Sequence, residues 1–299
     1  MNVLSSLLIK MMKITLFGNT FQAEKSQCLS RVIQELAGQG ADITIEASFR
    51  QYLSDQGFLV ARYAADTDFE GTDLAVSIGG DGTFLNTAAH IRDKNIPILG
   101  VNTGRLGFLA DISPDHISEA VESLFRHDYS IESRSVIQAE SDDHPFKNYP
   151  YGLNEVAVLK HDNSSLIDIR TEINGELLTH YIADGLVVST PTGSTGYSLS
   201  AGGPIIVPAT QTLCLSAVAP HSLYIRPVVL NDDVTITLTV QSRNPNFLVA
   251  VDGRSESFRA GSTITIKRAP YHIQVMKIHH KKFFDTLRTK MMWGADNRL

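Results

Sequence analysis

The chain has 299 residues, room for one large domain or two ordinary ones, and its 43% apolar content is enough for a real core. Its 26 basic and 32 acidic residues give a net charge of −6 with no basic tract, so a nucleic-acid partner has no electrostatic footprint. Two cysteines, Cys28 and Cys214, suggest no disulfide framework and fit a reduced, cytoplasmic setting.

Residues 1–12 read as a disordered extension. Their apolar run, Val3-Leu4 and Leu7-Leu8-Ile9, is too short to span a bilayer and lacks the flanks of a signal peptide, so no membrane role is expected. Met11 or Met12 is a candidate effective start.

Strands and helices alternate from residue 13 to about 130. Lys13-Ile-Thr-Leu-Phe17 reads as a strand. Residues 24–37 read as a helix with Leu29, Val32, Ile33 and Leu36 on one face and Gly38 and Gly40 ending it. Ile43-Thr-Ile45 is a second strand. Residues 74–78, 83–94 and 96–101 make a strand–helix–strand unit. Ser113 and Pro114 are typed as N-cap and first residue of a helix running to about His127. The expected domain, residues 13–130, is a Rossmann-like three-layer α/β unit with a mostly parallel sheet.

After residue 130 helices nearly vanish. Short alternating segments at 156–159, 166–173, 185–189, 234–240, 247–251 and 262–266 are separated by Asn174-Gly175, Asn231-Asp232 and Asp252-Gly253. Residues 131–275 are therefore expected to form an all-β domain of packed sheets. The stretch 190–204 interrupts it and is expected to open a helix. Residues 283–292 read as helical again, and the segment 276–299 is expected to return to the α/β domain.

Gly79-Gly80-Asp81-Gly82-Thr83 follows the apolar strand 74–78 and opens a helix. Glycines there let the backbone approach phosphate, and the helix start offers free N–H groups. A carboxylate in such a turn can accept a proton or bind a metal. Phosphate chemistry is one reading; a plain Asp-Gly turn is the other. The Walker pattern and G-x-G-x-x-G are both absent.

Thr190-Pro-Thr-Gly-Ser-Thr-Gly-Tyr-Ser-Leu-Ser200 interleaves hydroxyls with glycines, suited to cradling a polar ligand or, equally, to a polar loop capping a helix. Tyr197 adds a ring that can stack. Asp184 lies shortly before it in sequence. Asn154-Glu155 can hydrogen-bond a ribose diol or simply polarise a strand edge.

These motifs, with Gly100-Val-Asn-Thr-Gly-Arg-Leu-Gly-Phe108, occur in an order and spacing that resembles the bacterial NAD kinase family from about Lys13 to near the C-terminus. The resemblance implies transfer of the γ-phosphoryl group of ATP to the 2′-hydroxyl of the adenosine ribose of NAD, a divalent cation (Mg²⁺), and a homo-oligomer, dimer or tetramer. It assigns Asp81 as the proton acceptor and, with Gly82, a contact to NAD. It places Asn154, Glu155, Asp184 and the run Thr195, Gly196, Tyr197, Ser198, Leu199 and Ser200 at NAD. Gly79, Gly80, Gly82 and Thr83 suit the phosphate donor. Arg105 is a candidate cation for the transferring group. Two residues depart from the family pattern: Gly196 where alanine is usual, and Arg254 where glutamine is common. A related lipid or sugar-phosphate kinase would need an apolar channel or a basic clamp, and neither is apparent; a non-catalytic dinucleotide sensor would have no use for Asp81.

Overall fold

The computed structural model describes residues 11–19, 26–104, 107–161, 165–278 and 283–294. The expected extension up to Lys10, and Arg105, lie outside them. The chain forms two compact units, each built from separate stretches. The first takes the described residues up to Thr87, 96–131 and those from Val275 onward; the second takes 88–95 and 132–274.

Among the described residues, the first unit carries β1 (Lys13–Gly18), β2 (Asp42–Glu46), β3 (Ala64–Asp66), β4 (Leu74–Ile78) and β5 (Ile98–Val101). They pair in parallel in the order β3-β2-β1-β4-β5. Every residue of β4 is buried, as a strand covered on both faces requires. The helices are α1 (Ser26–Gly38), α2 (Ala47–Asp55), α3 (Asp81–Ile91) and α4 (Ile117–Phe125). Leu29, Val32 and Leu36 of α1 and Ala120, Val121 and Leu124 of α4 close one core over Ile14, Leu16, Val76 and Leu99. The winding runs outward from β1 to β3 on one side and from β4 to β5 on the other. Its reversal lies between β1 and β4, and open α/β sheets bind ligands outside the carboxyl ends of the strands at such a point.

Several local features differ from the sequence expectation. α3 starts at Asp81, two residues early, because Gly80 O already accepts from Thr83 and Phe84 N–H. Pro114 begins a single 3-10 turn, and the α-helix proper waits until Ile117. α2 and β3 were not anticipated. Glu46 starts α2 by folding its carboxylate onto Ser48 and Phe49 N–H, at 3.0 and 2.8 Å, a cap built from a residue outside the usual set.

The second unit consists of two antiparallel sheets, as the alternating segments predict. Its strands are β6 (Tyr129–Ser141), which begins in the first unit, β7 (Tyr151–Gly152), β8 (Glu155–Lys160), β9 (Ile167–Ile173), β10 (Glu176–Ala183) and β11 (Gly185–Ser189). After a short helix, α5 (Tyr197–Ser200), come β12 (Thr212–Val218), β13 (Val228–Asn231), β14 (Ile236–Gln241), β15 (Asn246–Val251), β16 (Arg254–Arg259) and β17 (Thr263–Ile278). One sheet runs β13-β12-β11-β8-β15-β16; the other carries β10-β9-β14-β17, with β6 on β17. Val156, Leu186, Leu213 and Phe247 from the first meet Ile167, Ile169, Leu238 and Ile264 from the second in a single core. Asn174-Gly175 joins β9 to β10 with φ of 52° and 83°, and Asp252-Gly253 joins β15 to β16 with 45° and 79°. Both are the positive-φ pairs that tight hairpins demand. β17 continues past Val275, where it pairs in parallel with Ile98 of β5 in the first unit's sheet; helix α6 (Phe283–Met291) follows.

Candidate active site

In the first unit the glycine turn leaves β4 and hands Asp81 to the start of α3. The Asp81 carboxylate folds onto three backbone N–H groups, those of Phe108 (3.0 Å), Leu109 (3.0 Å) and Ala110 (3.1 Å). A side chain at Gly107 would put Cβ 2.0 Å from Asp81 Oδ1, so the close approach requires glycine there. Asn102, 1% exposed, braces the loop by donating to Ala110 O and accepting from Gly104 N–H. Lys290 of α6 donates to Asp81 Oδ2 at 3.5 Å.

Next to this turn lies a cavity of about 370 Å³ lined by Gly18 at the end of β1, Glu46 at the end of β2, Ser48, Gly82, Thr83 and Asn86. It opens at the carboxyl ends of the strands, with the first turns of α2 and α3 at its wall. Backbone N–H groups at helix starts suit phosphate. Among the described residues no group of three or more His, Cys, Asp or Glu side chains stands together to hold a metal ion.

In the second unit, Asn154 and Glu155 open β8. Asp252, in the hairpin after β15, accepts hydrogen bonds from the N–H groups of Leu153 (2.8 Å), Asn154 (2.8 Å) and Glu155 (3.1 Å). The segment after β11 is laid over the same residues. Thr190 N–H donates to Asn154 O at 2.8 Å and its hydroxyl to Leu153 O at 2.6 Å. Gly193 presses so close that a Cβ there would sit 2.1 Å from Asn154 O. Asn154 Oδ1 and Glu155 Oε2 are buried without a hydrogen-bond partner among the described residues. Burial, then the nearby Asp252 charge, pushes Glu155 up to about 7, against a hydrogen bond from Tyr197 N–H. Burial likewise raises Asp252. Two open acceptors under a glycine-rich cover are what a ligand with adjacent hydroxyls would satisfy.

The structure thus brings Asn154, Glu155, Gly196 and Tyr197 together. A Cβ at Gly196 would meet Glu155 Oε2 at 3.2 Å, so alanine would graze the acceptor that glycine leaves clear. The Tyr197 phenol is raised by burial, then by the charges of Asp184 and Glu155, yet the side chain keeps 36% exposure. Thr195 is half-buried, while Leu199 and Ser200 follow on α5. Ser198 turns inward, fully buried and bonded to Ser216 Oγ at 3.1 Å. Asp184 precedes β11, the far end of that strand from Ser189, which is the residue registered with Glu155; it pairs with Lys160 at 2.6 Å. Arg254 donates to Tyr151 O at 2.9 Å. Asp252 escaped the sequence reading because an Asp-Gly pair already explains itself as a turn. Lys290 carried no signal at all.

A parallel α/β unit that delivers one carboxylate from a glycine turn, joined to a β unit that leaves buried acceptors open, defines a two-domain phosphotransferase. Residues 14–129 match the family described as ATP-NAD kinase N-terminal domain, and residues 153–278 match the ATP-NAD kinase C-terminal domain. An NAD kinase from Bacteroides fragilis is 52% identical over 292 residues, covering 96% of this chain and 100% of that protein. One from Porphyromonas gingivalis is 42% identical over 287 residues, 95% of this chain and 99% of that protein. The fold matches that of yeast NADH kinase complexed with NADH, with a TM-score of 0.84 at 21% identity over 97% of this chain and 90% of the other. It also matches an NAD kinase from Archaeoglobus fulgidus in complex with ATP, at 0.72 and 24% over 94% and 99%. The chain belongs to the NAD kinase family.

Proposed function

We propose that the protein transfers the γ-phosphoryl group of ATP to the 2′-hydroxyl of the adenosine ribose of NAD, giving NADP. The observation that carries the substrate side is the buried, unpartnered pair Asn154 Oδ1 and Glu155 Oε2 beneath the Thr190–Gly196 cover. It offers acceptors to a ribose diol and excludes water from them. Tyr197 supplies a ring face beside the pair, and Thr195, Gly196, Leu199 and Ser200 continue that wall. Ser198 contributes by seating α5, and Asp184 by its charge near Tyr197.

On the chemical side, a ribose hydroxyl is a poor nucleophile at neutral pH. Asp81 takes its proton as the phosphoryl group arrives. Freeing one carboxylate oxygen means loosening part of its contact with Lys290 or with the 108–110 backbone. The turn Gly79, Gly80, Gly82 and Thr83 and the cavity beside it seat the phosphate donor. Mg²⁺ fits this setting, since it takes one or two carboxylates together with substrate phosphates, and Glu46 is the acidic residue lining the cavity. When bound it neutralises phosphate charge. We take the two compact units as the two domains, and the protein as a cytoplasmic homo-oligomer. Among the described residues no helix is long and apolar enough to cross a membrane.

Incubating the pure protein with NAD, ATP and Mg²⁺ tests the reading directly. NADP should accumulate; a protein that binds NAD and forms none would be a sensor, and one that phosphorylates a lipid or sugar phosphate instead would belong to another kinase class.

The Tyr197 role has its own test. Tyr197→Ala should weaken NAD in calorimetry more than ATP, and Tyr197→Phe should do less because the ring remains. Equal weakening of both ligands would remove the ring from a dedicated dinucleotide contact.

Glu155 should make dinucleotide binding pH-dependent. A diol donates to the ionised carboxylate better than to the acid, so NAD affinity should rise as pH climbs through about 7. The stability contribution has the opposite sign. A carboxyl group whose folded pKa is raised from 4.5 to about 7 favours the fold most when protonated, and that contribution is lost as pH rises across the interval. Affinity measured across the interval should lose this dependence in Glu155→Gln; a persistent slope would point to another group.

A further inference from the structure

Phosphoryl transfer relies on positioning and on neutralising the charge of the group in flight. Within the described residues of the glycine turn and its loop, backbone N–H groups do part of this, but three of them are already spent on Asp81. α6 supplies a cation. Phe283, Leu287 and Lys290 fall three to four residues apart and share one face of that helix. The Phe283 ring lies 6.2 Å from that of Phe108, Leu287 is buried, and the Lys290 ammonium sits 4.7 Å over the Phe108 ring. The same Phe108 donates its N–H to Asp81 Oδ2, the oxygen that Lys290 Nζ approaches at 3.5 Å. One aromatic residue therefore sets both the carboxylate and the cation. Lys290 keeps 36% exposure, enough to meet a ligand.

We propose that Lys290 contacts the transferring phosphoryl group and is a catalytic residue of this enzyme; the assignment rests on the kinase reading above. If Asp81 accepts a proton from a hydroxyl ~2.6–3.2 Å away, and the phosphorus stands ~3–3.5 Å from that hydroxyl, phosphoryl oxygens fall within reach of an ammonium already beside the carboxylate. In the step, the ribose O–H proton passes to Asp81 and the 2′-oxygen bonds to the γ-phosphorus. The bond from that phosphorus to the bridging oxygen breaks, and ADP leaves with the electron pair. Lys290 gives up no proton. It trades Asp81 for the phosphoryl oxygens, which frees the carboxylate when the donor is in place. Before the donor binds, the ion pair holds both groups in register.

Lys290→Ala should lower kcat by ~10²–10³, the scale of losing one charge-stabilising donor. NAD affinity by calorimetry and the melting temperature should stay close to wild type. Added methylammonium should restore part of kcat, and Lys290→Arg should retain more activity than the alanine variant. Near-wild-type kcat in Lys290→Ala overturns the proposal. So does a loss of kcat that tracks a lowered melting temperature with no rescue by amine, since that is the mark of a residue that only pins α6. Wild-type protein that forms no NADP in the same assay overturns the kinase reading itself, a distinct result from wild-type turnover with an undiminished variant.

Discussion

Asp81→Asn is expected to lower turnover at saturating NAD and ATP by at least ~10²-fold, the usual scale for losing a positioned base. The substitution keeps the shape but not the electronics. An amide has one acceptor oxygen where the carboxylate has two, and its NH₂ would face a backbone N–H of the 108–110 loop. A stability loss of about 1–3 kcal/mol should accompany the kinetic defect, the cost of leaving one of these donors unsatisfied. The two effects separate by measurement. Turnover is taken well below the melting temperature, and NAD binding is followed by calorimetry. Retained NAD affinity with collapsed kcat identifies the base; near-normal kcat would show that another group takes the proton and that Asp81 serves only to hold its loop.

Glu155→Ala should act on binding instead. Removing a charged acceptor from a diol is expected to weaken NAD by about 1.5–3 kcal/mol. Stability should move the other way. At neutral pH and above, the ionised Glu155 is buried beside Asp252, and that burial is what drives its pKa to about 7. The isosteric Glu155→Gln, which keeps the packing and discards the charge, should therefore melt higher than wild type in alkaline buffer while binding NAD more weakly. Such opposed changes mark a group kept for function at the expense of the fold. Unchanged affinity in the alanine variant would take Glu155 out of the site.

How much of this was legible beforehand depended on how local the cause was. The run Leu74–Ile78 stands out because a strand buried on both faces must be apolar throughout, and the glycines after it mark where the backbone turns. The hairpins at Asn174-Gly175 and Asp252-Gly253 declare themselves because few residues accept positive φ. β10 did not, since Glu176 to Leu178 is exposed on an edge and shows no clean alternation. β3 is three residues long and buries one of them. Asp184 precedes the Thr190–Ser200 run by the five-residue strand β11, and its charge still reaches the Tyr197 phenol. Asp252 and Lys290 were invisible for a deeper reason. Each acts on residues roughly a hundred or two hundred positions away, and no periodicity encodes a partner at that distance.

The path of β17 has a bearing on how the protein is made. Met276, near the end of β17, belongs to the core that includes Ile14, so the first unit of a nascent chain stays unfinished until β17 has been translated. The second unit, drawn mostly from one continuous stretch, can close first. The sheet that presents Asp81 is extended by β17, the strand that precedes the helix carrying Lys290. A premature stop before Val275 would thus remove Met276 from the α/β core and Lys290 from beside Asp81 together.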